Sequence, residues 1–244
     1  MLRSKLAPGT RCSLEHGGAA PVIVAPDADL GAAIPILTKG GFYHACQVCV
    51  SVQRVFAHTS IARDLADRLA TAAGALRVGD PTLHDIDVGP LIRDAEVVRV
   101  DEWIKEAVER GAELLQGGRA VSNSCYAPTV LFDPPSNVRV SMQEIFGPVV
   151  CVDPFDDLDD AIARANALQF SFQTAVFTRN IDTALRTARR LDASAVMIND
   201  HTAFRVDWMP FAGLRESGLG VGGIPHTIRD MQIEKMVVMR SDEL

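Results

Sequence analysis

Short apolar runs rich in β-branched residues recur along this chain, and the stretches between them carry apolar residues at every third or fourth position. The runs are PVIV (21–24), RVFAH (54–58), ELLQ (113–116), TVLF (129–132), VVCV (149–152), TAVFT (174–178) and AVMIN (195–199). Among the intervening segments, Ile61, Leu65, Leu69 and Ala72 share one helical face, and Val97, Val100, Ile104, Ala107 and Val108 share another. Leu158, Ile162 and Ala165 follow an Asp156-Asp157 start signal; Ile181, Leu185, Ala188 and Leu191 follow Asn180. Helices between strands lead the chain back for another parallel strand and cover both sheet faces. The alternation therefore predicts an α/β fold, a mostly parallel sheet covered by helices. With 244 residues, 48% of them hydrophobic, the chain can build the core of one large domain or two small ones.

Charge narrows the partners. A net charge of −7 leaves no basic stripe for nucleic acid and argues against docking on anionic lipid. No apolar run reaches the roughly 20 residues of a membrane-spanning helix, and the first residues lack the apolar core of a signal peptide. The final SDEL, without such an entry signal, is read as coincidence. Five cysteines, an odd number at irregular spacing, form no disulfide framework and fit a reducing compartment. The expected location is cytoplasmic.

CQVC (46–49) invites several chemistries. A redox pair opens a helix after a strand, whereas here a strand-like run follows the pair and a helix from Asp29 to Thr38 with a Gly-Gly turn precedes it. A zinc site needs about four ligands; His44 and His58 are near in sequence, but no second C-x-x-C or H-x₃₋₅-H completes a set, so no metal is expected. Two buried structural thiols are the ordinary fate of free cysteines. A nucleophile would need a thiolate-favouring environment, a base and oxyanion donors. Glu15, beside His16 and a Gly pair, is a candidate base, and a surface glutamate is the alternative. Residue types and spacing leave these readings open.

Near the end, residues 206–226 hold seven Gly and Pro among 21 positions and predict an irregular loop. Gly218, Gly220 and Gly223 spell G-x-G-x-x-G there, but no strand is predicted before them and Pro225 falls where a helix should run, so no dinucleotide fingerprint is assigned. IEKMVVMRS (233–241) reads as a strand without a following partner, a pattern that often pairs with another chain.

Four motifs in order lift the ambiguity. LEHGG (14–18) resembles the L-E-x-G-G motif of the aldehyde dehydrogenase superfamily, CQVC its G-Q-x-C, QEIFGPV (143–149) its E-I-F-G-P, and PFAGLRESGLG (210–220) its P-F-G-G-x-K-x-S-G-x-G. The resemblance runs from about residue 2 to residue 240. It implies that Cys49 attacks an aldehyde, that NAD or NADP accepts hydride, and that Glu15 activates water to release the acid. It further implies that Glu144 and Phe146 meet the nicotinamide ribose and ring, that Phe211 walls the substrate tunnel, and that residues 233–241 form an oligomerisation strand of a homo-oligomer. Residues 1–16 are then expected to be a remnant of the cofactor domain and linker, 17–224 the catalytic domain, and 225–244 a C-terminal arm.

Departures matter. Cys46 stands where the family has Gly, which predicts crowding of the nucleophile turn and an oxidation-sensitive Cys46–Cys49 pair. Ala212 replaces a Gly and Arg215 a Lys. Family members carry a cofactor domain ahead of the glutamate motif, whereas only 14 residues precede Glu15. The expectation is thus a catalytic half of an enzyme, with a non-catalytic, oligomer-forming remnant as the alternative. The flanking sequences look most like members acting on small polar aldehydes. Arg205 is a candidate to meet an anionic group, or an ordinary surface arginine.

Overall fold

The computed structural model describes residues 3–243; Met1, Leu2 and Leu244, at the outer ends of the predicted 1–16 and 225–244 segments, lie outside the described residues. In chain order the elements are β1 (Leu14–Glu15), β2 (Ala20–Val24), α1 (Leu30–Phe42), β3 (Val52–His58), α2 (Thr59–Gly74), α3 (Asp94–Glu109), β4 (Glu113–Gln116), β5 (Thr129–Phe132), α4 (Arg139–Met142), β6 (Val149–Phe155), α5 (Leu158–Asn166), β7 (Phe170–Ser171), β8 (Gln173–Phe177), α6 (Ile181–Arg190), β9 (Ala195–Ile198), β10 (Leu214–Arg215), β11 (Gly218–Leu219) and α7 (Ile224–Asp230). The main sheet has the order β4-β5-β6-β3-β2-β8-β9. Every neighbouring pair is parallel except β4–β5. The predicted α/β class and each predicted strand run of the sheet are present.

Period-two alternation sorts the strand side chains. Val22 and Val24 of β2, with Val55 and Ala57 of β3, pack against Leu37 of α1, Leu65 and Leu69 of α2, and Val100 and Ile104 of α3. Ile23 and Phe56 point to the opposite face, under Ala161, Ile162 and Ala165 of α5. β2 is buried along its whole length, which is why it reads as an unbroken apolar run. The start signals act as caps: Asp157 accepts from the Asp159 N–H, and Asn180 accepts from the Thr183 N–H.

Three expectations need correction. Helix α1 does not stop at Thr38 in a Gly-Gly turn but continues through Gly40 and Gly41 to Phe42. A methyl on Gly40 would lie 2.6 Å from His201 Cβ, and one on Gly41 2.6 Å from Val150 Cγ2, so these glycines permit close helix–sheet approach. Pro225 does not prevent a helix; it occupies the first turn of α7, where its missing N–H is harmless. Gly223 nevertheless abuts the Met209 carbonyl, and β11 pairs only with β1, so the glycines still form no strand–helix cradle. Finally, residues 233–241 form no strand. They are exposed and make no ladder among the described residues, because a lone strand has no neighbour to satisfy its backbone.

Candidate active site

The four motifs meet at the amino ends of adjacent strands. Glu15, Gly17 and Gly18 lead into β2, Cys49 into β3, Glu144 and Phe146 into β6, and Phe172 into β8, and these strands lie side by side in the order β6-β3-β2-β8. Open α/β sheets more often carry their sites at the carboxyl ends.

Cys49 sits on a tight turn between α1 and β3. His44, Ala45 and Cys46 take φ values of 52°, 53° and 58°, a left-handed stretch that L residues rarely adopt. This explains the glycine in the family pattern at position 46 and locates the predicted crowding in the backbone. Side chains of the turn and its neighbours hold it. Gln47 accepts from the Ile92 N–H at 2.9 Å and donates to the Pro90 carbonyl at 3.1 Å, while Thr202 Oγ1 donates to the Val50 carbonyl at 2.6 Å. The Cys46 thiol turns inward, its Sγ 3.9 Å from the Val52 carbonyl oxygen, and burial pushes its pKa up to about 12.

Cys49 is half-buried and packs with Tyr43, Val48 and Phe211 against Val50, Phe172 and Ala203. The Phe172 and Phe211 rings lie 4.7 Å apart, tilted by 55°. Sequence reasoning placed Phe211 here but missed Phe172; its position directly before a strand, like that of Cys49, was the available signal. The Cys49 pKa is pushed up to about 11, first by burial and then by the charges of Glu15 and Glu144; its own N–H and Arg205 oppose the rise. The modest lowering that a nucleophile requires is not present in this arrangement.

The two carboxylates differ: Glu15 is exposed, beside the Gly-rich loop, whereas Glu144 is held by the glycine backbone. A methyl on Gly222 would stand 3.2 Å from Glu15 Oε1, and β1 pairs Glu15 with Gly218, so the Gly-rich loop runs beside the exposed candidate base. Ser217, fully buried, knits that loop down: its carbonyl accepts from the His16 N–H and its Oγ from the Ser171 N–H. Glu144 lies across Gly17 and accepts from the Gly18 N–H at 3.0 Å; burial raises its pKa. Phe146, 39% exposed at φ 49°, lines an open groove of about 620 Å³ with His44, Gln47, Pro90 and Ile92. An exposed aromatic ring beside the Cys49 turn fits a flat nicotinamide ring, whereas Glu144 is engaged with the glycine backbone.

The sequence profile described as "Aldehyde dehydrogenase family" matches residues 2–237. The chain belongs to this family. It is 37% identical over 239 residues to 3-sulfolactaldehyde dehydrogenase of Priestia aryabhattai, covering 98% of this chain and 50% of that protein. It is 35% identical over 238 residues to lactaldehyde dehydrogenase of Methanococcus maripaludis, covering 98% and 51%. Among solved structures, glyceraldehyde-3-phosphate dehydrogenase GapN from Methanocaldococcus jannaschii, complexed with NADP, superposes with a TM-score of 0.90 at 35% identity, covering 94% of this chain and 50% of that one. The chain thus spans about half the length of the relatives it matches. Among the described residues, no helix is long and apolar enough to cross a membrane.

Proposed function

We propose that this aldehyde dehydrogenase chain carries the nucleophile and water-activating base of an NAD- or NADP-dependent oxidation of a small aldehyde to its carboxylic acid. The reading is carried by the convergence of Cys49, Glu15, Glu144 and Phe211 at one sheet edge. The Cys49 thiolate adds to the aldehyde carbon and gives a thiohemiacetal, whose oxyanion the Cys49 N–H is placed to meet. When bound, a nicotinamide would supply the hydride acceptor for oxidation of the Cys49 thiohemiacetal to the thioester. Phe146 is the residue of this chain that would hold its ring; Glu144 would meet the ribose only by giving up its bond from the Gly18 N–H. Glu15 then takes a proton from water as the water adds to the thioester carbon; collapse of the adduct expels the thiolate and frees the acid. Phe172 and Phe211 exclude bulk water from the sulfur. The likeness to enzymes named for sulfolactaldehyde and lactaldehyde supports small polar aldehydes as substrates.

The rest of the dinucleotide platform belongs, on this reading, to a region ahead of the glutamate motif. The assembly is a homo-oligomer formed through residues 233–241, where Ile233, Met236, Val237, Val238 and Met239 are all exposed. The location is cytoplasmic. Removal of residues 233–241 is expected to convert a dimer or larger species to monomer in light scattering; an unchanged mass would overturn that assignment.

The surroundings of Cys49 favour a second reading, a folded oligomer-forming chain without turnover: its burial against Phe172 and Phe211 and the charges of Glu15 and Glu144 all disfavour the thiolate. Hydrolysis of an aryl acetate, which requires no nicotinamide, separates the two. The enzyme reading expects acetyl transfer to Cys49 followed by turnover, both abolished by Cys49→Ala. No acetyl on Cys49 would support the second reading.

A further inference from the structure

Gln53 is a buried amide that the chemistry proposed above does not use. It lies near the start of β3, four residues after Cys49, and is 4% exposed. The ladder with β2 steps over it: Ala20 pairs with Val52 and Pro21 with Arg54, so Gln53 is the extra residue of a bulge. A bulge re-aims the side chain it carries. Here the amide meets the stretch that leads into β6. Its Nε2 donates to the Gln143 carbonyl at 2.7 Å and to the Val140 carbonyl at 3.1 Å, and its Oε1 accepts from the Ile145 N–H at 2.9 Å. Three of the four hydrogen bonds open to the amide are thus spent on residues 140–145. Two of them fall on the residues immediately before and after Glu144. Glu144 in turn accepts from the Gly18 N–H, and Phe146 follows at φ 49°. Arg99 braces the same loop from α3, donating to the Ile145 carbonyl at 2.6 Å, but it is partly exposed and shared with Glu96.

We infer that Gln53 is a positioning residue of the active site: it ties the loop bearing Glu144 and Phe146 to the strand that leaves Cys49, and so sets where Glu144 stands relative to the sulfur. A buried amide meeting three backbone groups at once admits one orientation. An apolar side chain in its place would leave the Ile145 N–H and two carbonyls without this partner. With the tie gone, the loop keeps Arg99 but loses its bonds on either side of Glu144, and the carboxylate is free to swing off Gly18 toward solvent. The charge of Glu144 is among those that oppose the Cys49 thiolate, so its departure is read out at the sulfur. This inference rests on the reading of Cys49 as the nucleophile.

Gln53→Met keeps most of the volume and removes the bonds. The test is the pH profile of Cys49 alkylation by iodoacetamide, located by mass spectrometry and run without any nicotinamide. At pH 8, Glu144→Gln is expected to speed alkylation about twofold and Gln53→Met by about the same factor, each profile moving to lower pH. The double variant should be no faster than Glu144→Gln alone, whereas general loosening of the fold would add the same increment in either background. If Gln53→Met leaves the profile unmoved, or acts equally in the Glu144→Gln background, the inference is overturned and the nucleophile stands. Hydrogen exchange gives a second test that needs no reactive thiol. In the parent, the Ile145 N–H should exchange at least about tenfold more slowly than an unbonded loop amide, and Gln53→Met should release Ile145 and Gly18 together while β6 stays protected. Fast exchange of Ile145 in the parent overturns the inference even if Gln53→Met does not fold. If Cys49 is not labelled ahead of Cys12, the nucleophile reading falls, and the exchange of Ile145 and Gly18 decides on Gln53 by itself.

Discussion

Glu15 is expected to act with opposite sign on the two halves of the reaction. Its charge is the second cause, after burial, of the rise in the Cys49 pKa from 9.0 to about 11. At pH 8 that rise lowers the thiolate fraction about 100-fold, because each pH unit below the pKa is tenfold. Removing the Glu15 charge restores part of that factor. Glu15→Gln should therefore speed alkylation of Cys49 by iodoacetamide at pH 8 by about threefold, with the rate climbing toward a lower apparent pKa. The same substitution removes the base for water, so release of the acetyl-enzyme should slow by about 10²–10⁴-fold. The assay is a burst experiment with an aryl acetate, followed by mass spectrometry of Cys49. The parent should show a burst and steady turnover; Glu15→Gln should show a faster burst, acetyl retained on Cys49, and almost no turnover. Slower alkylation in Glu15→Gln would mean that the carboxylate assists the thiol, and unchanged turnover would mean that it is not the base. Either result refutes the reasoning.

Other perturbations test the scaffold. Gly17→Ala places a methyl 2.3 Å from Glu144 Oε2 at φ +131°, and should destabilise by about 1–3 kcal/mol, visible as a lower Tm; a double variant with Glu144→Ala should recover the clash but not the backbone strain. Asp153, buried beside Arg54 and Arg164, is pushed up to about 6 by burial. With its folded pKa above the unfolded one, its contribution to stability is full below about pH 4 and is lost as pH rises through 6; Asp153→Asn should remove that slope from a denaturation-versus-pH series, and an unchanged slope would contradict it. The inward Cys46 thiol, with a pKa of about 12, is a poor attacker on an oxidised neighbour. Mild peroxide is therefore expected to carry Cys49 to the sulfinate with Cys46 free, the reverse of the pairing that proximity in sequence suggests, and a dominant 46–49 linked peptide would overturn this.

The strands of the sheet were legible because a parallel strand buried on both faces leaves an unbroken apolar run, as in PVIV and TVLF. Helix starts were legible where a capping side chain marks them, at Asp157 and Asn180. The end of α1 was not, since Gly40 and Gly41 read locally as a turn and only their distance to His201 and Val150 shows why a helix needs them. The same limit applies to residues 233–241, whose strand pattern meets no neighbouring strand among the described residues. Of the site, Cys49, Glu15, Glu144, Phe146 and Phe211 were named by motif resemblance, not by spacing. Phe172 lay in no motif of that reading, and Ser217, though it is the serine of the Gly-rich motif, was given no role there; its buried hydrogen bonds to His16 and Ser171 show what it does. The direction of the Cys49 pKa was invisible as well, because it depends on carboxylates 34 positions before it and 95 after it, brought together only by strand order.

That strand order also sets the electrostatics of this edge. A helix connecting two parallel strands starts at the carboxyl ends of the strands and finishes at the amino ends. The positive ends of α1, α5 and α6 accordingly gather at the carboxyl edge, where Asp29, Asp157 and Asn180 cap them. The amino edge receives helix C-termini instead, and α1 ends just before the Cys49 turn with its carbonyls facing that side. A thiolate placed there is opposed by two carboxylates and faces the carbonyl end of α1. The fold's own field thus works against negative charge where the chemistry generates it. Stabilisation of a Cys49 thiolate by this chain therefore has to come from local groups, its own N–H first and the more distant positive charge of Arg205 second.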